Sequence, residues 1–86
     1  MTQDELTLRA RQEAARALGL QIEQVTLERI EEIDWPDASL GCPEPGRMYA
    51  QVITPGYRVV LRASGQEHVV HADQSGRVVY CRNPAR

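Results

Sequence analysis

The sequence has no lysine and no phenylalanine. Its ten strongly basic side chains are all arginine, and its aromatic rings are confined to Trp35, Tyr49, Tyr57 and Tyr80. A chain this poor in stacking rings, and acidic overall at a formal charge of -2, lacks the concentrated basic surface of a dedicated nucleic-acid binder. No apolar run approaches the ~20 residues needed to span a bilayer as a helix. Only two cysteines occur, Cys42 and Cys81. That excludes a disulfide-dense scaffold, and the absence of a C-x-x-C pair excludes thioredoxin-type dithiol chemistry. The opening Met1-Thr2-Gln3-Asp4-Glu5 is acidic and no apolar stretch follows it, so no secretory signal is read there and the cytoplasm is the expected compartment. With 86 residues, the chain holds one domain and no cleft between two domains.

What is present is unevenly distributed. Residues 1–43 carry a balance of -5 and residues 44–86 one of +3. Pairing between the halves within the molecule is the simplest use of that asymmetry. The two cysteines allow one disulfide closing 39 residue steps, worth about 3–4 kcal/mol in the chain-entropy account. A reducing cytosol would instead leave two thiols.

Local signals order the chain. Thr2 is an N-cap with Glu5 three residues on, and Gly19 supplies a left-handed stop, so a helix occupies residues 1–20. Leu6, Ala10, Ala14, Ala17 and Leu18 give it one narrow apolar face, with Glu5 and Arg9 as an exposed i,i+4 pair. Residues 25–35 alternate as a strand whose phase breaks between Arg29 and Glu31, predicting a β-bulge near Ile30. Residues 36–48 hold three prolines and two glycines and form a stiff loop. From residue 49 to 82 the pattern is a β-meander: strands at Tyr49–Thr54, Tyr57–Ala63, Gln66–Ala72 and Arg77–Cys81, with turns at Pro55-Gly56, Ser64-Gly65 and Asp73–Gly76. Residues 83–86 are a tail. The expected fold is α+β: an N-terminal helix packed on a curved antiparallel sheet of four to five strands.

The stretch W-P-D-A-S-L-G-C-P-E-P-G-R-M-Y-A-Q-V-I-T-P-G-Y, from Trp35 to Tyr57, resembles a small, functionally uncharacterised bacterial domain family. Its members share W-x-D-x-S-L-G-C-P-x-P-G followed by Y-x-Q-V-x-T-P-G-Y. The matching residues are Trp35, Asp37, Ser39 to Pro43, Pro45, Gly46, Tyr49, Gln51, Val52 and Thr54 to Tyr57. The family pattern has an aromatic where this chain has His68. The resemblance implies no catalytic role; such families are often exported or lipid-anchored, which makes the cell envelope the alternative compartment.

Several constellations carry potential chemistry. Cys42, His71 and Asp73 make a nucleophile, base and orienting acid on paper. Cys42, Cys81, His68 and His71 form a Cys2His2 inventory, but the spacing fits no zinc finger and the two histidines fall on opposite strand faces. Both histidines are expected at the surface and no metal or cofactor is assigned. Glu31, Glu32, Asp34 and Asp37 cluster around Trp35 as solvated carboxylates, Asp37 capping the loop turn. Tyr49 and Tyr57 are expected to pair across strands beside the Pro55-Gly56 turn. No catalytic set emerges.

The expected function is therefore non-enzymatic: a protein-binding or structural module using the Ser39–Gly46 loop. Its binding residues are Trp35, Asp37, Ser39, Leu40, Cys42, Pro43, Glu44 and Pro45. In the bland alternative the loop packs down, with Leu40 and Trp35 filling one end of the core. Two further readings are a small cysteine-dependent enzyme or protease-inhibitor-like protein centred on Cys42, and weak nucleic-acid binding through Arg58 and Arg62 on one strand face.

Overall fold

The computed structural model describes residues 2–81. Helix α1 spans Gln3–Leu18. Thr2 Oγ1 accepts the Glu5 amide at 3.2 Å and donates to the Glu5 carboxylate at 3.1 Å, so the first turn is capped by its own sequence. Gly19 ends the helix at φ 69° and returns its N–H to the Ala15 carbonyl. The helix buries Leu6, Ala10, Ala14 and Ala15, mostly small residues that let it lie close against a sheet. Arg9 does not pair with Glu5. It reaches across to the Gly76 carbonyl at 3.0 Å, where a half-buried acceptor needs a donor. Arg11 likewise donates to the Val25 and Ile22 carbonyls at 2.7 and 3.0 Å, fastening the 3-10 turn Ile22–Gln24 to the helix.

Four strands follow: β1 Thr26–Trp35, β2 Thr54–Ala63, β3 Gln66–Asp73 and β4 Val78–Tyr80. They pair antiparallel in the order β1-β2-β3-β4, an open meander, and the fold is α+β as expected. The bulge exists but lies at Glu28, where the register steps between Leu27 and Arg29, two residues before Ile30. Ser64 and Gly65 both take positive φ, 53° and 76°, as a tight two-residue hairpin requires. At the next turn Asp73 Oδ1 accepts the Ser75 amide, the Ser75 hydroxyl and the Arg77 amide at 2.7–3.0 Å. Burial pushes the Asp73 carboxyl up, but these hydrogen bonds outweigh it and hold the group below its ordinary value.

Two expectations fail at one place. There is no strand over Tyr49–Thr54 and no turn at Pro55-Gly56. The chain enters β2 at Thr54 and passes straight through both residues, pairing Pro55 with Asp34 and Gly56 with Ile33. Pro55 lies at the strand start, just outside the β2–β3 ladder, where its missing N–H is harmless. Gly56 does not take a positive φ. It is needed for space: a Cβ there would lie 2.0 Å from the Ala72 carbonyl oxygen and 2.9 Å from the Trp35 indole nitrogen. The Tyr49–Tyr57 cross-strand pair is lost with the turn, since Tyr57 sits opposite Glu32 and Ala72.

The sheet has two unlike faces. Toward α1 it presents Val59, Leu61, Ala63, Val70 and Ala72, which with the helix form the main core. The opposite face carries Val60 and His71, both buried, although among the described residues no helix covers them. Among the described residues no helix is long and apolar enough to cross a membrane. The tail at 83–86, and Arg82, fall outside the described residues.

Candidate functional site

The cover on that second face is the 36–53 connection between β1 and β2. Its first half is a plug. Trp35, the last residue of β1, stacks on His71 with centroids 4.2 Å apart and donates its indole N–H to the Ala72 carbonyl at 3.0 Å. Asp37 Oδ1 accepts the Ser39 amide and hydroxyl at 2.9 and 2.5 Å. The Ser39 side-chain and backbone hydrogen bonds hold the Asp37 carboxyl below its ordinary range. The turn is closed by Leu40 N–H to the Asp37 carbonyl and Cys42 N–H to the Ser39 carbonyl. Leu40 and Gly41 both take left-handed φ, 57° and 74°. That conformation is uncommon for leucine. It drives the Leu40 side chain fully out of solvent and turns its carbonyl onto His71 Nδ1 at 2.7 Å. Gly41 fits only without a Cβ, which would come within 2.9 Å of the Trp35 ring and 3.3 Å of His71 Nδ1.

The plug is bonded down. A disulfide joins Cys42 to Cys81, with Cα atoms 5.6 Å apart, so the loop is tied to the residue that follows β4. Cys42 Sγ also lies 3.2 Å from His71 Nδ1. Arg77 Nη1 donates to the Ala38 carbonyl at 2.9 Å and ties the plug to the β3–β4 turn. Burial pushes the His71 imidazole below its ordinary value, the Leu40 carbonyl opposes that, and Arg58 reinforces it. His71 is thus not at the surface; it is a buried strut whose burial disfavours the charged imidazolium.

The second half of the connection faces water. Pro43, Glu44, Pro45 and Gly46 are exposed. The Glu44 amide donates to the Tyr49 hydroxyl oxygen at 3.1 Å, and Arg47 pairs with Glu44 and sits over the Tyr49 ring. Ala38 N–H reaches back to the Ala50 carbonyl at 3.0 Å. On either side of this pin, Met48, Val52 and Ile53 are 98%, 57% and 73% exposed. The binding set read from the sequence therefore divides. Trp35, Ser39 and Leu40 are buried and hold the loop, Asp37 and Cys42 are half-buried, and Pro43, Glu44 and Pro45 are presented to solvent.

The other constellations do not assemble. Asp73 is committed to its own turn, and no described hydrogen bond joins it to His71. His68 lies on the helix side of the sheet, with Nδ1 2.9 Å from the Tyr80 hydroxyl. Arg58 and Arg62 stand in an ion-pair ladder with Glu31, Glu28 and Glu67 at 3.0–3.5 Å, to which Arg29 adds its contacts to Glu28 and Glu31. The Arg58 and Arg29 contacts lower the Glu31 carboxyl, and Arg62 and Glu67 lower that of Glu28. The carboxylates around Trp35 go separate ways: Glu31 to arginine, Asp37 to Ser39, and Glu32 to the rim of a cavity with Thr2 and Tyr57.

Two features escaped sequence reasoning. One is the buried role of His71, whose signal is its place inside the apolar run Val69-Val70-His71-Ala72. The other is the exposed apolar row after the plug. No curated protein and no solved structure matches the chain. The match that does exist covers nearly all of the described fold, α1 through the disulfide: over residues 7–81 the chain belongs to a family described as a domain of unknown function, DUF8738.

Proposed function

We propose that this domain is a non-enzymatic protein-binding module that presents the second half of its β1–β2 connection to a partner. One observation carries the reading. The segment Tyr49-Ala50-Gln51-Val52-Ile53 has strand-forming composition, yet it lies outside every ladder among the described residues, with Val52 and Ile53 exposed. An exposed apolar segment with unladdered amides is suited to pairing with a strand from another protein. The plug and the Cys42–Cys81 bond hold its base, so little ordering entropy is lost on binding. The bonded cysteines suit an oxidising compartment such as the cell envelope. The resembled motif supports a shared use of this region in bacterial relatives: Trp35, Asp37, Ser39, Leu40, Gly41, Cys42 and Gly56 each build the plug or make room for it.

The test pairs two variants. Met48→Ser/Val52→Ser/Ile53→Ser removes the apolar contacts, and Gln51→Pro blocks strand pairing through the backbone. Both should keep the wild-type melting temperature and lose the partner captured by the wild-type domain. A partner retained by both variants refutes the reading.

A further inference from the structure

We propose that the reduced form of this domain binds one thiophilic d10 metal ion, zinc or copper(I), through Cys42 Sγ, Cys81 Sγ and His71 Nδ1. This does not rest on the protein-binding reading of the loop, since the site lies at the buried base of the plug.

The donor set is already gathered. The two sulfurs and the imidazole nitrogen all lie within 4.8 Å of one another, and Cys42 Sγ is 3.2 Å from His71 Nδ1. A tetrahedral zinc with Zn–S near 2.3 Å and Zn–N near 2.0–2.1 Å sets its ligand atoms about 3.5–3.8 Å apart. The sulfur–nitrogen distance needs only a small adjustment. The sulfurs must part from bonding distance, and Cα atoms 5.6 Å apart allow this by side-chain rotation. Two thiolates and one imidazole are a soft set that favours zinc and copper(I) over magnesium or calcium. Three ligands complete a trigonal copper(I) site. For zinc, a cavity of about 240 Å³ beside the sulfurs, lined by Cys42, Pro43, Glu44, Pro45 and Tyr80, admits a water as the fourth ligand. The elements are rigid: His71 is held in β3 between Trp35 and Leu40, and Cys81 follows β4 with its N–H on the Val69 carbonyl.

The chemistry balances with a dithiol reductant. The Cys42–Cys81 bond accepts two electrons and two protons from the dithiol, giving two thiols, and the dithiol becomes a disulfide. Metal binding then releases both thiol protons to solvent. The imidazole keeps a single proton, moved from Nδ1 to Nε2, and the ion replaces the Leu40 carbonyl as the partner of Nδ1. Either state ties the plug to the β4 end of the sheet. The loop is thus closed by a sulfur–sulfur bond under oxidising conditions and by a metal bridge under reducing ones.

The experiment uses the full chain, reduced with a phosphine and desalted without oxygen, then titrated with cobalt(II) as a zinc probe. Expected are a thiolate-to-cobalt charge-transfer band saturating at one equivalent, visible bands of tetrahedral intensity, and displacement by one equivalent of zinc. A parallel arm with copper(I) against a chromogenic chelator distinguishes the two ions; tight one-to-one binding of either supports the proposal. The oxidised protein should show no such band. Cys42→Ser and Cys81→Ser should each weaken binding at least ~100-fold. His71→Gln should weaken it while the charge-transfer band persists at high cobalt. Because His71 is buried and its variant could misfold, a second readout uses the wild-type chain: the His71 Nδ1 nitrogen resonance should shift on loading with zinc. Absence of both the cobalt band and one-to-one copper(I) binding in reduced protein, equal binding by oxidised protein, a His71 resonance unmoved by the ion that binds, or loss of the fold on reduction would each overturn the proposal.

Discussion

Gly56→Ala tests how the second face of the sheet is built. Gly56 serves close packing: the β3 backbone and the Trp35 indole both run across the place where a side chain would begin. An added Cβ would lie 2.0 Å from the Ala72 oxygen, and real Cβ atoms essentially never come within 3.0 Å of a neighbour. The atom it meets is backbone in a paired strand, which cannot swing aside as a flexible side chain would. Overpacking of this kind costs about 1–3 kcal/mol. The shift also disrupts the buried Trp35–Ala72 hydrogen bond, worth another ~1–3 kcal/mol once donor and acceptor lose their partners. The expected loss is therefore about 2–6 kcal/mol, a fall in melting temperature of at least ~8 °C for a domain this size. Urea titration followed by tryptophan fluorescence measures it, and near-ultraviolet circular dichroism reports whether Trp35 leaves its stack on His71. Gly46→Ala is the comparison. That glycine has φ +78° and nothing within 4 Å, so it should lose only the left-handed penalty of about 1–2 kcal/mol and keep the Trp35 signal. A Gly56→Ala protein within ~0.5 kcal/mol of wild type, with its Trp35 dichroism intact, would refute the packing argument.

Replacing both cysteines by alanine should lower stability by about 4 kcal/mol, because the bond closes a segment of 39 residues; a urea midpoint unchanged from wild type would show that the bond adds nothing. Stability should also depend on His71 in a defined pH window. Its pKa is lowered in the fold from an ordinary 6.5, so the unfolded chain binds the extra proton first. Stability from this source is present above pH ~6.5 and is lost as the pH falls from there toward the folded-state value. The lowered carboxyls of Asp37 and Asp73 act in a separate window, below about pH 4. Chemical denaturation between pH 5 and 8 should show the slope in the wild type and a flat line in His71→Gln, and a slope shared by both would discard His71 as its source.

Those parts of the fold with a local cause were legible in the sequence. Thr2 and Gly19 bound the helix because capping depends on a handful of neighbouring atoms, and Ser64-Gly65 makes its hairpin for the same reason. Alternation in β1 also exposed an extra residue, but not which one. The bulge is placed by the partners Leu61 and Val60, and these belong to another strand. Pro55-Gly56 shows the limit most clearly. A proline with φ preset and a glycine without a Cβ suit a turn and a strand start equally. The decision comes from Trp35 and Ala72, distant in sequence, which need the glycine's empty volume. The Tyr49–Thr54 strand failed for a related reason: β1 ends at Trp35 opposite Thr54, so nothing remains for residues 49–53 to pair with. At the candidate site the sequence named Cys42 and Cys81 as a possible bond and offered Leu40 and Trp35 as core. It did not reveal that His71 would lie beneath all four, since a histidine two residues from an aspartate on a strand reads as surface.

The 18-residue connection between β1 and β2 also bears on how the chain reaches its native state. The β2–β3 and β3–β4 hairpins close over a few residues each, whereas β1 can pair only after a far longer segment has been looped out. Loop closure of that length adds entropy that must be lost before any contact repays it. The meander from Thr54 to Tyr80 is thus expected to order first and to act as the template onto which α1 and β1 dock. Seating of Leu40 and Trp35 over His71 then comes last. During synthesis the helix and β1 emerge without their partner strand, and the Cys42 thiol waits for a further 39 residues before Cys81 exists to meet it. In that interval Trp35, Leu40 and Val60 are open to solvent, and a chaperone or thiol oxidase would find them there.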